Sequence, residues 1–166
     1  VEIRVNGSVV TPDFAHNLVL GSNTITAVVT AEDGATTQTY TVALTRLDND
    51  AYLGGLQVSS GPFDQPFSRD TFNYTHTTNV ASLTVSPSAT RNPYTSTITV
   101  NGVEVAAGSP SPYMAMNIGA NTISVVVVAG DGVTTQTYTI IVTRISNDAG
   151  LSGLALSSGA LDQAFA

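Results

Sequence analysis

Several residue types are missing from this 166-residue chain: cysteine, lysine and tryptophan are absent, and only 10% of the residues are charged. Without cysteine, the chain has no disulfide framework and no thiol chemistry. Without lysine, it cannot form the Lys–Asn or Lys–Asp side-chain amide bond that locks some surface sandwiches. The net charge of −7 gives an acidic surface, so we expect no nucleic-acid partner.

Long apolar runs are missing as well. The valine-rich segment 123–129 is far shorter than the roughly 20 residues that a membrane-crossing helix needs, so we expect no membrane span in this segment. Scarce charge, abundant Thr, Ser and Asn, and the absence of cysteine agree with a secreted all-β array. We therefore expect an extracellular or cell-surface location.

The chain repeats itself. Residues 21–46 return as residues 119–144, displaced by 98 positions, and 17 of these 26 positions are identical. Residues 47–68 return at the same offset as residues 145–166. A fixed period of this length predicts a string of similar domains rather than one enzyme.

The period divides the chain into three units. We predict the C-terminal half of a repeat over 1–46, a complete repeat over 47–144, and the N-terminal strand region of a further repeat over 145–166. Counterparts of residues 69–95 occur in neither partial unit. Either the chain is a window of a longer array, or other chains complete its ends.

Strand signals dominate the complete unit. Segments 25–30 and 123–128 are rich in β-branched residues, and segments 37–45 and 135–143 alternate in part between polar and apolar residues, as half-buried strands do. Asn-Gly at 6 and 101 and Asp-Gly at 33 and 131 predict tight hairpin turns. Further strands are predicted near 53–58, 72–76, 80–86, 96–100, 103–106 and 112–118. The pattern favours an all-β chain of tandem immunoglobulin-like β-sandwich domains, one complete and two partial; a solenoid is the alternative.

These residues resemble a known family. The resemblance is carried by Leu53-x-Gly55-Leu56-x-Val58-Ser59-x-Gly61, Phe67, Tyr74, Val100-Asn101-Gly102, Gly119-x-Asn121-x-Ile123, Asp131-Gly132 and Thr137-Tyr138-Thr139. Together they look like the cadherin-like β-sandwich repeat of large bacterial surface and secreted proteins. The resemblance implies a spacer, adhesive or interaction module with no catalytic residues, and it does not imply the calcium sites of true cadherins.

Catalytic candidates are few. His16 and His76 are the only histidines, and His16 falls opposite Met114 in the repeat, so we expect structural roles for both. Ser59-Ser60-Gly61 and its copy at 157–159 lack the flanking pattern of a nucleophile elbow, and a turn is the expected role. We predict no enzyme activity, no catalytic residues and no bound cofactor.

Acidic residues at the unit boundaries are candidate calcium ligands. Asp48 and Asp50 lie where the first unit ends and the complete unit begins, and Asp148 occupies the position equivalent to Asp50 in the copy. Oxygen ligands at a domain junction suit Ca²⁺, which needs six or more of them. The alternative is that these side chains cap local turns by bonding their own backbone.

Aromatic residues offer a second kind of site. Tyr52, Tyr94 and Tyr113 have no tyrosine counterpart in another unit, which makes them candidates for a glycan-binding face. Tyr40 and Tyr138 repeat, as do Phe67 and Phe165, which suits core positions. Burial of the tyrosine rings would favour a structural role, and a cluster of exposed rings would favour glycan binding.

The sequence therefore predicts a structural repeat that works as a stalk, an adhesin segment or a filament subunit. Its expected partners are neighbouring repeats and other copies of itself, because the tail strand of one segment would complete the head sheet of the next by strand addition. The alternative is a glycan- or protein-binding module of a larger adhesin or secreted enzyme, with a cell-surface ligand.

Overall fold

The computed structural model describes residues 1–11, 15–89, 97–150 and Ser158. Every regular element in these residues is a β-strand, which confirms the all-β prediction. None of the described residues lies in a helix with the length and apolarity that crossing a membrane requires. The strands fall into two groups, which precede and follow the connecting segment 47–52.

The first group is a four-stranded antiparallel sheet, here called the first sheet. Its strands are β1 (Glu2–Val5), β2 (Ser8–Val10), β3 (Gly21–Thr30) and β4 (Thr37–Arg46), arranged in the order β2-β1-β3-β4. The long β3–β4 ladder pairs Gly21 with Arg46 at one end and Thr30 with Thr37 at the other. Strand β4 is an edge strand among the described residues.

The second group forms two packed layers, here called the sandwich. Its strands are β5 (Leu53–Val58), β6 (Asn73–Thr78), β7 (Ser82–Leu83), β8 (Val85–Ala89), β9 (Thr97–Val100), β10 (Val103–Glu104), β11 (Met114–Ala115), β12 (Gly119–Val128) and β13 (Thr135–Arg144). One layer has the order β10-β9-β12-β13-β6, and its β13–β6 pair is parallel. This layer repeats the β1–β4 arrangement of the first sheet and adds β6 at the edge.

The opposite layer is built from shorter pairings. Strand β5 pairs with β8, and β7 pairs with β11. The Ser111 N–H donates to the Val85 carbonyl at 2.8 Å, and the Met116 N–H donates to the Ala81 carbonyl at 2.8 Å. These bonds extend the β7–β11 pairing along the chain, so the segment before β12 forms the far side of this layer.

The core lies between the two layers because alternate residues of each strand point inward. Buried apolar residues from both layers form one cluster, which consists of Ala51, Leu53, Leu56, Val58, Tyr74, Leu83, Val85, Ile98, Val100, Val105, Met116, Ile123, Val125, Val127, Ala129, Tyr138, Ile140 and Val142. The outward positions of β12 and β13 carry mostly Thr, Ser and Val, which tolerate water on one side of a strand.

Two of the predicted turn types are confirmed and two need correction. Asn6 and Gly7 have φ values of 48° and 83°, and Asn101 and Gly102 have 47° and 81°, so both pairs make the expected two-residue hairpins. At Asp33-Gly34 only the glycine has positive φ, at 72°. The loop spans residues 31–36, because the Asp33 carboxylate bonds the backbone of the following residues and holds a longer turn.

The predicted strands agree with the structure most closely where pairing is longest. Segment 53–58 is a strand as predicted, whereas the predicted strand at 112–118 is regular only over Met114–Ala115. Proline at 110 and 112 removes backbone donors there, which shortens the ladder. The division into one complete and two partial domains stays a prediction. The strand predicted in the tail falls after residue 150 and lies outside the described residues.

Candidate functional site

The apolar face of the first sheet is a candidate interaction surface. We call it the uncovered face, and it comprises Ile3, Val5, Ile25, Ala27, Val29, Tyr40, Val42 and Leu44, which the β1–β3 and β3–β4 registers place on one side. Tyr40 is 60% exposed, Val42 is 52% exposed and Leu44 is 37% exposed. Apolar side chains of this size, side by side and facing water, are characteristic of interaction surfaces.

The same residues are core residues in the sandwich. Tyr138, Ile140 and Val142 occupy the positions of Tyr40, Val42 and Leu44, and each is 0% exposed. The expectation that Tyr40 and Tyr138 share a core position is therefore correct for Tyr138 and wrong for Tyr40. The physical reason is that strand β5 and its neighbours cover Tyr138, whereas no described residue supplies an equivalent layer for Tyr40.

Tyr138 shows which contacts a tyrosine makes at this position when a second layer covers it. Its hydroxyl accepts a hydrogen bond from the Leu53 N–H at 3.0 Å and donates one to the Arg69 carbonyl at 2.9 Å. Its ring meets the edge of Phe72 at a centroid distance of 5.4 Å. Burial raises the pKa of this hydroxyl above its ordinary value of 10.0 because the phenolate would lose its hydration. Tyr138 therefore joins the two layers through its ring and its hydroxyl.

The acidic residues at the junction act as turn caps in the structure. Asp48 Oδ1 accepts the Asp50 N–H at 3.1 Å, and Asp50 Oδ1 accepts the Tyr52 N–H at 3.0 Å. Asp148 Oδ1 accepts the Gly150 N–H at 2.8 Å in the same two-residue pattern. Each is the Asx turn that was the alternative interpretation of these residues. The Asp48 carbonyl also accepts the Asp131 N–H at 2.8 Å, which ties the connecting segment to the β12–β13 loop.

The described junction carboxylates hold local turns and an ion pair. Within the described ranges, no group of three or more His, Asp or Glu side chains is placed to hold a metal ion. Asp50 instead pairs with Arg69, whose Nη2 lies 3.2 Å from Asp50 Oδ1. Calcium binding through Asp48, Asp50 and Asp148 stays a prediction.

Sequence reasoning missed the role of Arg69. Its guanidinium lies 4.5 Å from the centroid of the Tyr52 ring and forms the ion pair with Asp50. Its carbonyl accepts the Tyr138 hydroxyl bond. The only signal in the sequence is that arginine is rare in this chain. The partners of Arg69 lie 17, 19 and 69 positions away, which is too far for a local pattern to reveal them.

The histidine and serine candidates occupy structural positions. His76 is 4% exposed, its Nδ1 donates to the Pro62 carbonyl at 2.8 Å, and its Nε2 lies 2.7 Å from Ser60 Oγ. With Nδ1 protonated, Nε2 accepts the Ser60 hydroxyl proton. Ser59 Oγ accepts the Thr84 N–H at 2.9 Å, as expected for a turn after a strand. His16 is exposed, with Nε2 at 3.0 Å from the Thr11 carbonyl.

The tyrosine candidates for glycan binding differ in their surroundings. Tyr113 is 78% exposed, whereas Tyr52 is half-buried beside Arg69 and Phe72. Tyr94 lies outside the described residues. Tyr74 is 1% exposed, with Phe63 and Phe67 packed against its ring at 4.8 and 5.9 Å between centroids. Of the two described candidates, Tyr113 has the exposed ring that suits ligand stacking.

An apolar cleft of about 740 Å³ lies beside β5. It is lined by residues 56–58 and by the loop 61–67, which contributes two phenylalanines and two prolines. Gln57, Asp64 and Gln65 supply its polar groups. A mostly apolar concave surface with a few polar groups is the usual form of a small-ligand site.

The β12–β13 loop contains Asp131, whose pKa is lowered by the hydrogen bonds that hold the loop. The Thr134 hydroxyl donates to Asp131 Oδ2 at 2.6 Å, and the Val133 and Thr134 N–H groups donate to Oδ1. These bonds lower the pKa of Asp131 below its ordinary value of 3.8, with the hydroxyl bond contributing most. Asp33 and Thr36 repeat the arrangement in the first sheet, and the pKa of Asp33 is lowered for the same reason. Recurrence in both copies fits a loop-holding role.

Two packed β-layers define the described part of the chain as a β-sandwich protein. The family model of the cadherin-like beta sandwich domain matches residues 1–47 and 53–145. These ranges cover most of the sequence, so the chain belongs to the cadherin-like beta sandwich domain family. The resemblance drawn from the short motifs is thereby confirmed.

Comparison with other proteins adds little beyond the family. A search of curated proteins found no match. Among solved structures, the fibronectin(III)-like modules of CbhA from Clostridium thermocellum are similar at 13% identity, covering 93% of this chain and 82% of that one, with a TM-score of 0.28. A score this low leaves the fold assignment to the family match and to the sheets themselves.

Proposed function

We propose that this chain is a non-enzymatic structural repeat of an extracellular bacterial protein, acting as a stalk, an adhesin segment or a filament subunit. Neighbouring repeats or other copies of the chain supply the second layer of the first sheet. Membership of the cadherin-like family supports a structural or binding module. Domains of this kind are typical of extracellular proteins, which supports the proposed location.

One observation carries this proposal: equivalent residues are exposed in one copy and buried in the other. Tyr40 and Val42 are 60% and 52% exposed, while Tyr138 and Ile140 are both 0% exposed. Burying a side chain of this size contributes roughly 1.5–3 kcal/mol. A second layer over the first sheet would therefore be strongly favourable, and the sandwich shows which sequence fits there.

The pairing of β5 and β6 in the sandwich bears on the proposed mode of completion. In it, β5 pairs with β8 in the opposite layer, whereas β6 is the strand added to the edge of β13. Residues 145–166 correspond to 47–68, a range that includes β5 and not β6. The equivalence supports a second layer contributed by a segment equivalent to β5, whereas a segment equivalent to β6 would add to the edge of β4; strand addition by the tail stays a proposal.

A charge placed on the uncovered face tests this proposal. Val42→Asp would put a carboxylate at the centre of the proposed contact, where its desolvation opposes association. Thr41→Asp is the matched control, because it carries the same charge one position along β4 and points to the other face. Sedimentation of the full chain over a concentration series measures both.

We expect the unmodified chain and Thr41→Asp to self-associate and Val42→Asp to remain monomeric. A monomeric unmodified chain at every concentration, or equal association of the two variants, would contradict completion of the first sheet by another copy.

The cleft beside β5 supports a second candidate function, a glycan- or protein-binding module. Its apolar walls and the Asp64 carboxylate could hold a small ligand. Glycan-array binding by the full chain, lost in Asp64→Ala and kept in Tyr113→Phe, would support a site in the cleft. Binding that is lost only when Tyr113 is changed would place the ligand on the exposed ring instead, and no binding would favour the structural role.

A further inference from the structure

Strand β5 has a free edge within the sandwich. In the described part of the chain, β5 pairs with β8 along one edge and with no strand along the other. Pro87 stands opposite Leu56 in this ladder and has no N–H, so these two residues form a pair without mutual hydrogen bonds. The bond from the Ser59 N–H to the Thr84 carbonyl continues the same alternation. The N–H and C=O groups of Leu56 therefore point away from β8.

The cleft of about 740 Å³ lies at this free edge. Leu56 and Val58 line one side of it, and loop 61–67 lines the other. Among the described residues, loop 61–67 forms no backbone hydrogen bond with Leu56. An unpaired strand edge of this kind is a template for the backbone of another segment. The cleft therefore combines backbone donor and acceptor groups with apolar walls.

Loop 61–67 is held from its other side by strand β6. The Asp64 N–H donates to the Thr75 carbonyl at 3.0 Å, and Gln65 Nε2 donates to the Asn73 carbonyl at 2.8 Å. The two phenylalanines of the loop pack on the Tyr74 ring. Both walls of the cleft are thus fixed before a ligand arrives, which lowers the entropy cost of binding.

The charge in the cleft is negative. Of the described residues that line it, Asp64 alone carries a charge. Asp64 is exposed, and its carboxylate forms no ion pair with a described residue. The chain has no lysine and a net charge of −7, so its overall field also attracts cations. A basic side chain on the ligand complements this site.

Resting on the binding role proposed for the cleft, we infer that the cleft binds an extended, basic segment of a partner protein. The segment lies along β5 as an added strand, and its backbone pairs with the N–H and C=O of Leu56. Apolar side chains on one face of the segment enter the cleft, and a lysine or arginine pairs with Asp64. The backbone bonds supply affinity, and the cation selects the partner.

Three acetylated and amidated hexapeptides test this inference. The first alternates valine and lysine, the second alternates valine and glutamate, and the third is the first peptide with every backbone nitrogen methylated. NMR titration of the ¹⁵N-labelled full chain gives the dissociation constants and follows the Leu56 N–H itself. Asp64→Asn removes the charge and keeps the shape of the side chain. Asp70→Asn is the matched control, at an exposed carboxylate that does not line the cleft.

We expect the valine–lysine peptide to shift the amide signals of residues 56–67 and to move the Leu56 N–H downfield, as a new hydrogen bond does. The valine–glutamate peptide and the Asp64→Asn variant should each weaken binding about threefold, the order expected for one exposed ion pair. Methylation should weaken it about tenfold, because the backbone bonds are lost. Asp70→Asn should bind as the unmodified chain does.

The outcomes distinguish this inference from both proposed functions. No amide shift with any peptide at millimolar concentration would overturn strand docking, while glycan-array binding lost in Asp64→Ala would still preserve the binding role of the cleft. Shifts confined to residues outside the cleft, equal affinity for the lysine and glutamate peptides, or full binding of the methylated peptide would also overturn it. Self-association blocked by Val42→Asp would leave the structural role intact in each case.

Discussion

Replacing Tyr138 with phenylalanine removes one oxygen atom from the centre of the sandwich. That oxygen accepts the Leu53 N–H and donates to the Arg69 carbonyl, at 3.0 and 2.9 Å. The ring and its edge contact with Phe72 would be retained. The substitution therefore isolates the contribution of the hydroxyl that links the two layers.

The two lost bonds differ in their cost. Leu53 is fully buried, so its N–H would be left without a partner, at a cost of about 1–3 kcal/mol. Arg69 is exposed, so water can replace the hydroxyl at its carbonyl and the loss there is about 1 kcal/mol. We expect Tyr138→Phe to destabilise the sandwich by about 3 kcal/mol. For a unit of this size, that lowers the melting temperature by more than about 10 °C.

Tyr40→Phe is the control for this experiment because it makes the same change in the same sequence context on the uncovered face. Urea unfolding followed by far-ultraviolet circular dichroism, at a protein concentration too low for association, compares both variants with the unmodified chain. We expect the Tyr40→Phe midpoint to stay unchanged. If Tyr138→Phe cost less than about 0.5 kcal/mol, or as little as Tyr40→Phe, the role given to the hydroxyl would be refuted.

Three further predictions concern the loops around β12. Thr134→Val should raise the pKa of Asp131 towards 3.8, as read from an NMR titration of that carboxylate. Because the folded pKa is lowered, the bonds of Asp131 stabilise the fold above about pH 3.8, and this stability is lost as the pH falls through the lowered pKa. An unchanged Asp131 titration midpoint in the variant would contradict this reasoning. Gly132→Ala should cost about 1 kcal/mol in urea unfolding, since φ is +72° and no atom lies within 4 Å of the added Cβ; a loss above 3 kcal/mol would reveal a steric conflict. Asn121→Ala should cost about 2 kcal/mol in thermal unfolding, because its side chain makes four hydrogen bonds to backbone groups, and a neutral result would mean that water replaces them.

Local sequence was sufficient for the long strands and for the two Asn-Gly turns. Alternation and β-branched content located the long strands, and Asn-Gly at 6 and 101 specified hairpins whose φ values the structure confirms. These features depend on residues within a few positions of one another. The repeat offset of 98 then predicted the same strands in both units, and the structure has the same ten-pair ladder at both places.

Burial and long-range pairing were decided by the tertiary structure. The segment Thr-Gln-Thr-Tyr-Thr is identical at 37–41 and 135–139, yet Tyr40 is 60% exposed and Tyr138 is 0% exposed. The hydroxyl partners of Tyr138 lie 85 and 69 positions away, and Asp50 meets Arg69 across 19 positions. The sequence by itself determined which face of each strand is apolar. Whether that face becomes core depends on a second layer, because burial requires atoms from a distant segment to displace water.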